Sequence, residues 1–299
     1  MNRLALVFVA LVLCASALAQ EQNERPPIIG LAYVRIAVSD MAKARGFYVE
    51  DLGFASHECG PTGTNCLQVN TSQSLQLEQT NATPMSNLVT TVAFATADVA
   101  NLQRYLQTHG VRTGNLSRQG IAQFEVNDPE GHRIVFTQIP MPKPTGWPHP
   151  PKQVSARLIH AGLIVKDRAA EDHFYRDILG FHLYWHGGMK DGGTSWVDMQ
   201  VPDGTDWIEY MLNVPDNADH HTLGVMNHVA LGVPDIHAAE EQLRKNGWSG
   251  NEQPKIGRDG KWQLNLYDPD DTRVELMEFT PTQKPCCSDY ARPHPGSKQ

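Results

Sequence analysis

The sequence predicts an α+β protein of four βαβββ units, paired into two halves. Three observations carry this expectation. Four alternating apolar segments each end in an aspartate, a helical pattern that closes on glycine follows each of them, and two units finish in the same turn-and-strand signature.

The four segments read YVRIAVSD, TVAFATAD, HAGLIVKD and HVALGVPD, ending at Asp40, Asp98, Asp167 and Asp235. Alternation with period two marks a strand with unlike faces. An aspartate at the end of such a strand is well placed to cap the next helix, because its carboxylate accepts from the helix's free N–H groups. After Asp40 come Phe47-Tyr48 and Leu52-Gly53-Phe54; after Asp167, Phe174-Tyr175 and Leu179-Gly180-Phe181 stand at the same offsets. Leu106 with Gly110 and Leu243 with Gly247 correspond after Asp98 and Asp235. Each glycine suits a left-handed helix C-cap. Asp128-Pro129-Glu130-Gly131 and Asp268-Pro269-Asp270-Asp271 are turns leading into the final strands IVFTQ and VELMEF. Units one and two occupy residues 28–140 and units three and four residues 155–281. A proline-rich linker over 141–154 joins them, and 282–299 is a tail.

With 299 residues, 40% of them hydrophobic and 19% charged, the chain has the composition of a globular protein with room for two cores. The net charge of −8 excludes nucleic acid as a partner, since phosphate binding needs clustered Lys and Arg. Residues 1–19 differ from the rest: Arg3, an apolar run from Leu4 to Leu13, then Ala17-Leu18-Ala19. That run is too short to span a bilayer and reads as a cleaved secretory signal, so export to a periplasm or the medium is expected, with no membrane contact afterwards. Cys14 raises a lipoprotein alternative, against which Leu13 stands where a small residue is wanted. An oxidising compartment would permit Cys59 and Cys66 to bridge. Cys286 and Cys287 are adjacent and poorly placed to pair with each other.

Alternation also assigns faces. Val229, Leu231 and Val233 form a side that packs on a helix, so His228, Ala230 and Gly232 face away. Leu163 and Val165 likewise leave His160 and Gly162 on the opposite side. In the final strands, Ile208 and Tyr210, and Val274 and Leu276, leave Glu209 and Glu275 facing the histidines. Two imidazoles and two carboxylates suit one divalent Zn, Ni, Mn, Fe or Co ion. The corresponding positions of the N-terminal half, Tyr33, Glu78, Thr91 and Val135, predict no metal there.

The fourfold unit, with its FYxxxLGF and DPxG elements, resembles the vicinal-oxygen-chelate superfamily, also called glyoxalase/bleomycin resistance protein/dioxygenase, over nearly the whole mature chain. The resemblance implies curved mixed sheets around a cavity. It is closest to glyoxalase I, whose ligands come from the first and last strands of two units, the positions of His160, Glu209, His228 and Glu275. It implies an enzyme whose ion chelates two neighbouring oxygens of a small substrate and stabilises an enediolate. Glu209 or Glu275 would move the proton as base and then acid. A second implication is an extradiol-type or other Fe(II) dioxygenase using His160, His228 and Glu275. Against ring cleavage, Asp259 stands where that signature has histidine, and Tyr267 lies too close to Asp268-Pro269. A third is a non-catalytic ligand-binding protein of the bleomycin-resistance kind. Trp196, Trp207 and Met199 are expected as apolar lining, with Trp185 or His186 at the mouth.

Overall fold

The computed structural model describes residues 24–59, 64–81, 88–139 and 149–296. The expected signal segment and residues 141–148 of the linker lie outside them.

Unit one consists of β1 (Ile28–Val38), helix α1 (Met41–Arg45, continued by a wider π-type turn over Gly46–Asp51), β2 (Ala55–Glu58), β3 (Thr64–Gln68) and β4 (Ser74–Gln79). Unit two has β5 (Val89–Thr96), α2 (Val99–Thr108), β6 (Gln123–Asn127) and β7 (Arg133–Gln138). It holds two strands after its helix rather than three; the missing one is reduced to an isolated bridge between Ser117 and Gln123. Unit three repeats unit one: β8 (Arg157–Ile164), α3 (Arg168–Asp172, continued over His173–Ile178), β9 (His182–Gly187), β10 (Trp196–Gln200) and β11 (Trp207–Met211). An unpredicted short helix, α4 (His220–Met226), precedes unit four. That unit comprises β12 (His228–Val233), α5 (Ile236–Asn246), β13 (Lys255–Ile256), β14 (Trp262–Tyr267) and β15 (Arg273–Glu278).

Two sheets result, in the orders β2-β3-β4-β1-β5-β7-β6 and β13-β14-β15-β12-β8-β11-β10-β9. In each, the first strands of two units run antiparallel at the centre, and each is flanked in parallel by the last strand of its own unit. All four aspartates cap as the sequence predicts: their carboxylates accept from Ala42 and Lys43, from Asn101, from Ala170, and from His237 and Ala238 N–H groups. Gly53, Gly110, Gly180 and Gly247 take positive φ where the helices end.

The helix-facing sides of both sheets share one core, with Phe94 of β5 packed edge-on against Phe181 at 5.3 Å. Two smaller apolar clusters lie on the opposite sides of the sheets: Ala32, Tyr33, Ala93, Ala95, Val135 and Ile139 in the first, and Ile159, Tyr184, Trp185, Trp207, Ala230, Met277 and Phe279 in the second. The repeated motifs recognise each other across the halves. Tyr48 of unit one donates to Asp268 of unit four at 3.0 Å, and Tyr175 of unit three donates to Asp128 of unit two at 3.1 Å. Buried Gln73 adds a clasp, donating to the Leu158 carbonyl and accepting from the Leu158 N–H. No helix among the described residues is long and apolar enough to cross a membrane.

Cys59 and Cys66 are bridged, with Cα atoms 5.7 Å apart. Cys286 and Cys287 are bridged as well, contrary to the expectation from their adjacency, with Cys287 at positive φ. The tail lies along β9: the Trp185 indole donates to the Cys286 carbonyl, and Ala291 N–H donates to the Tyr184 carbonyl.

Candidate metal centre

Each half-site begins with a strand position. On β8 the regular alternation breaks just before the site: Ala230 pairs with His160 but Leu231 pairs with Leu158, so Ile159 forms a bulge. A bulge puts two successive side chains on nearly the same face. Ile159 joins the open-side apolar cluster, and His160 still points to that side. On β12, His228 lies opposite Gly162. A Cβ on residue 162 would stand 2.0 Å from the His228 ring, so only glycine admits that imidazole. In β11, Glu209 is the partner of Gly162; in β15, Glu275 is the partner of Ala230. Four side chains from four strands thus converge on one place.

The two Nε2 atoms are 3.0 Å apart. Glu209 Oε2 lies 3.1 Å from His228 Nε2 and 3.7 Å from His160 Nε2. Glu275 Oε2 lies 3.5 Å from His160 Nε2 and 3.8 Å from His228 Nε2. His228 Nδ1 is 3.0 Å from the Met226 carbonyl, an acceptor only, so Nδ1 carries the proton and Nε2 offers its lone pair to the cluster. Among the described residues, His160 Nδ1 is buried without a hydrogen-bond partner. Burial pulls both imidazoles below their ordinary range, His228 to about 3 with help from the Arg273 guanidinium. Neutral rings of this kind are what a metal requires. Burial raises the Glu209 carboxyl against the lowering pull of His160 and Arg273. For Glu275, burial acts upward but is outweighed by the hydrogen bond to His160 and the charges of Arg273, His160 and His228, which together hold it at about 2. Two imidazole nitrogens and two carboxylates facing one another at 3.0–3.8 Å are a donor set that fits a divalent ion, which would take the place that the Arg273 guanidinium holds at His228 Nε2.

The centre opens into a cavity of about 290 Å³. Trp185, Trp196, Trp207 and Met277 supply aromatic and thioether walls, and Lys255 and Arg258 stand among its lining. Met199, expected as lining, instead faces the helix-side core: Trp196 and Asp198 take the open side of β10, so Val197 and Met199 must take the other. His186 does not line the cavity, whereas Trp185 does.

Several residues were missed from sequence. Arg273 reaches 2.6 Å from His228 Nε2, and its place two residues before Glu275 puts it on the same face. Asp198 is the cross-strand partner of Glu209, a placement that β10 alternation could have revealed. Its carboxyl is pushed well up by burial and then by Glu209. Lys261 had no sequence signature: it is fully buried, with Nζ 4.8 Å from the Trp207 ring and 5.2 Å from those of Tyr184 and Tyr290.

The first sheet is a useful contrast. Its register makes Gln76, not Glu78, the counterpart of Glu209, because Arg35 pairs with Gln76 as Gly162 pairs with Glu209. The sequence alignment slipped there because β4 alternates through two polar candidates on one face. Arg35 replaces the permissive glycine and donates to Gln76 at 3.0 Å. With Tyr33, Thr91 and Val135, this set offers no ligand cluster.

Residues 30–136 and 157–276 each match the model of the Glyoxalase/Bleomycin resistance protein/Dioxygenase superfamily. A lactoylglutathione lyase of Haemophilus influenzae is 26% identical over 129 residues, covering 42% of this chain and 96% of that protein. An ethylmalonyl-CoA/methylmalonyl-CoA epimerase of Cereibacter sphaeroides is 28% identical over 120 residues, 38% of this chain and 90% of its own length. Among solved structures, homoprotocatechuate 2,3-dioxygenase from Brevibacterium fuscum, in complex with 3,4-dihydroxyphenylacetate, superposes with a TM-score of 0.63 at 22% identity, over 90% of this chain and 88% of that one. The enzyme of the same name from Arthrobacter globiformis gives 0.64 at 21% identity, over 90% and 86%.

Proposed function

The chain belongs to the glyoxalase/bleomycin resistance protein/dioxygenase superfamily, and from that premise we propose that it is a metal-dependent enzyme that moves a proton on a small substrate with neighbouring oxygens, in the manner of glyoxalase I. His160, Glu209, His228 and Glu275 would hold the ion. When bound, it would supply Lewis acidity, drawing charge from the substrate oxygens. The observation that carries the reading is the second carboxylate. A facial triad is complete with His160, His228 and Glu275, yet Glu209 lies 3.1 Å from His228 Nε2 as a fourth donor. A carboxylate beyond the minimum is free to accept a proton at carbon and return it. Either Glu209 or Glu275 would take this part. Trp185, Trp196 and Trp207 line the cavity beside the centre, and Arg273 would turn from His228 Nε2 to the Glu209 carboxylate when that nitrogen holds the ion.

The aromatic walls favour one second reading, an Fe(II) oxygenase that stacks a planar substrate between these indoles. Elemental analysis of chelator-free protein, beside His160→Ala and His228→Ala, tests both. We expect bound transition metal to fall by about one equivalent in each variant relative to the parent, and not to fall in Tyr33→Phe. Proton exchange from α-hydroxy carbonyl compounds into heavy water supports the first reading; oxygen uptake with aromatic diols replaces it with the second. Binding without turnover in either assay leaves a ligand-binding protein.

A further inference from the structure

Away from this centre, the two seams where the halves meet are built alike but carry different residues. One joins Tyr48 of the first helix to Asp268 of the last turn. The other joins Tyr175 to Asp128. At the first seam the remaining positions are Ala44 and Thr272. At the second, the same positions hold Glu171 and His132. The first seam is complete without a second carboxylate or an imidazole, so neither is needed to close the interface.

The second seam is electrostatically unfinished. Asp128 and Glu171 are both buried. His132 Nδ1 lies 2.8 Å from Asp128 Oδ2, and Glu171 Oε1 accepts from the Glu130 N–H at 2.9 Å. Among the described residues, Glu171 Oε2 is buried with no hydrogen-bond partner. Neither carboxylate is ion-paired to Lys or Arg among the described residues, and the other charges acting on Glu171 are the carboxylates of Asp128, Glu130 and Asp167. Burial, with Asp128 next in effect, pushes the Glu171 carboxyl up to about 8, the mark of a charge without compensation. Donor atoms of Asp128, His132 and Glu171 all lie within 4.8 Å of one another. His132 also lines an adjacent groove with Glu130, Gly131 and Arg133, which gives an ion a way in.

We propose that Asp128, His132 and Glu171 form a second divalent-metal site, which pins unit two to unit three across the seam. One imidazole nitrogen and two carboxylate oxygens select a borderline transition ion such as Zn²⁺ or Mn²⁺ over Ca²⁺ or Mg²⁺, which prefer all-oxygen sets. The ion supplies the counter-charge that Glu171 lacks and gives Glu171 Oε2 its partner. Its role is structural, since none of its three residues lines the cavity and they come from both halves. This inference does not depend on the reaction proposed above.

The test begins with the full chain carrying His160→Ala and His228→Ala, so that only the seam remains to bind. Equilibrium dialysis against Zn²⁺ and Mn²⁺ should find about one equivalent bound, and the unfolding midpoint should rise with metal concentration. Adding Glu171→Ala with His132→Thr copies the sibling seam, so this variant folds; it should lose the bound ion and the metal-dependent rise together. Glu171→Gln should do the same. Absence of metal in the His160/His228 variant overturns the proposal. So does retention of the ion after Glu171→Ala/His132→Thr. A Glu171→Gln protein that is more stable, with unchanged metal response, shows instead that a proton on Glu171 is the compensation.

Discussion

At the scale of single residues, the candidate centre depends on an absence of side chain as much as on its ligands. Gly162 leaves the space in which the His228 ring stands, and Gly162→Ala would place a methyl 2.0 Å from it. The ring can escape only by swinging its Nε2 away from His160 and Glu209. Metal affinity should therefore fall by roughly 10–100-fold, the scale seen when ligand orientation is disturbed, with little change in far-UV circular dichroism. An unchanged affinity would mean that His228 is not a ligand. A different economy applies at Asp271. It takes φ 67° where its counterpart Gly131 takes 89°, a region unfavourable to a residue with a Cβ. Asp271→Gly should stabilise the fold by on the order of 1 kcal/mol, read as a rise of roughly 2 °C in the unfolding midpoint.

The elements carry the repeat, and the Tyr48–Asp268 seam gives it a pH signature. Burial raises the Asp268 carboxyl to about 6 from 3.8, despite hydrogen bonds from Thr272, Asp270 and Tyr48 that lower it. A raised carboxyl means that the folded state holds its proton more tightly than the unfolded chain does. Its contribution to stability is therefore full below about pH 4 and is lost as pH rises through 6. Asp268→Asn should flatten the fall in unfolding midpoint across that window; a parallel curve would place the cause elsewhere. The first strands and their capping aspartates were legible because alternation and a local hydrogen bond depend on near neighbours. The absent third strand of unit two was not legible, since whether a segment joins a sheet depends on the edge offered to it. The bulge at Ile159 was hidden for the same reason: it is a mismatch between β8 and β12, and neither strand shows it alone.

Over the whole molecule, the two halves share the helix-side core, and the seams and the Gln73 clasp are made across them. The C-terminal half alone, residues 149–296, would expose that core. It should elute as aggregate or expanded species and unfold without a sharp transition. A monomeric half with cooperative unfolding would show that the halves are independent bodies. The tail belongs to this scale too. It lies along β9 and covers Tyr184 and Trp185, with the Tyr290 ring tilted 46° against that of Tyr184 at 4.7 Å.

The sequence by itself determined the unit, its fourfold repetition, the caps and the faces of the four strands that carry His160, Glu209, His228 and Glu275, because each follows from periodicities of two to four residues. Only the tertiary structure decided that these four converge with nitrogen and oxygen atoms 3.0–3.8 Å apart, that Arg273 and Asp198 stand beside them, that Lys261 is buried among three aromatic rings, and that Met199 turns away. Those are outcomes of register between strands distant in the chain. Sheet register is set by packing across the whole layer, and a shift of one residue reverses every face.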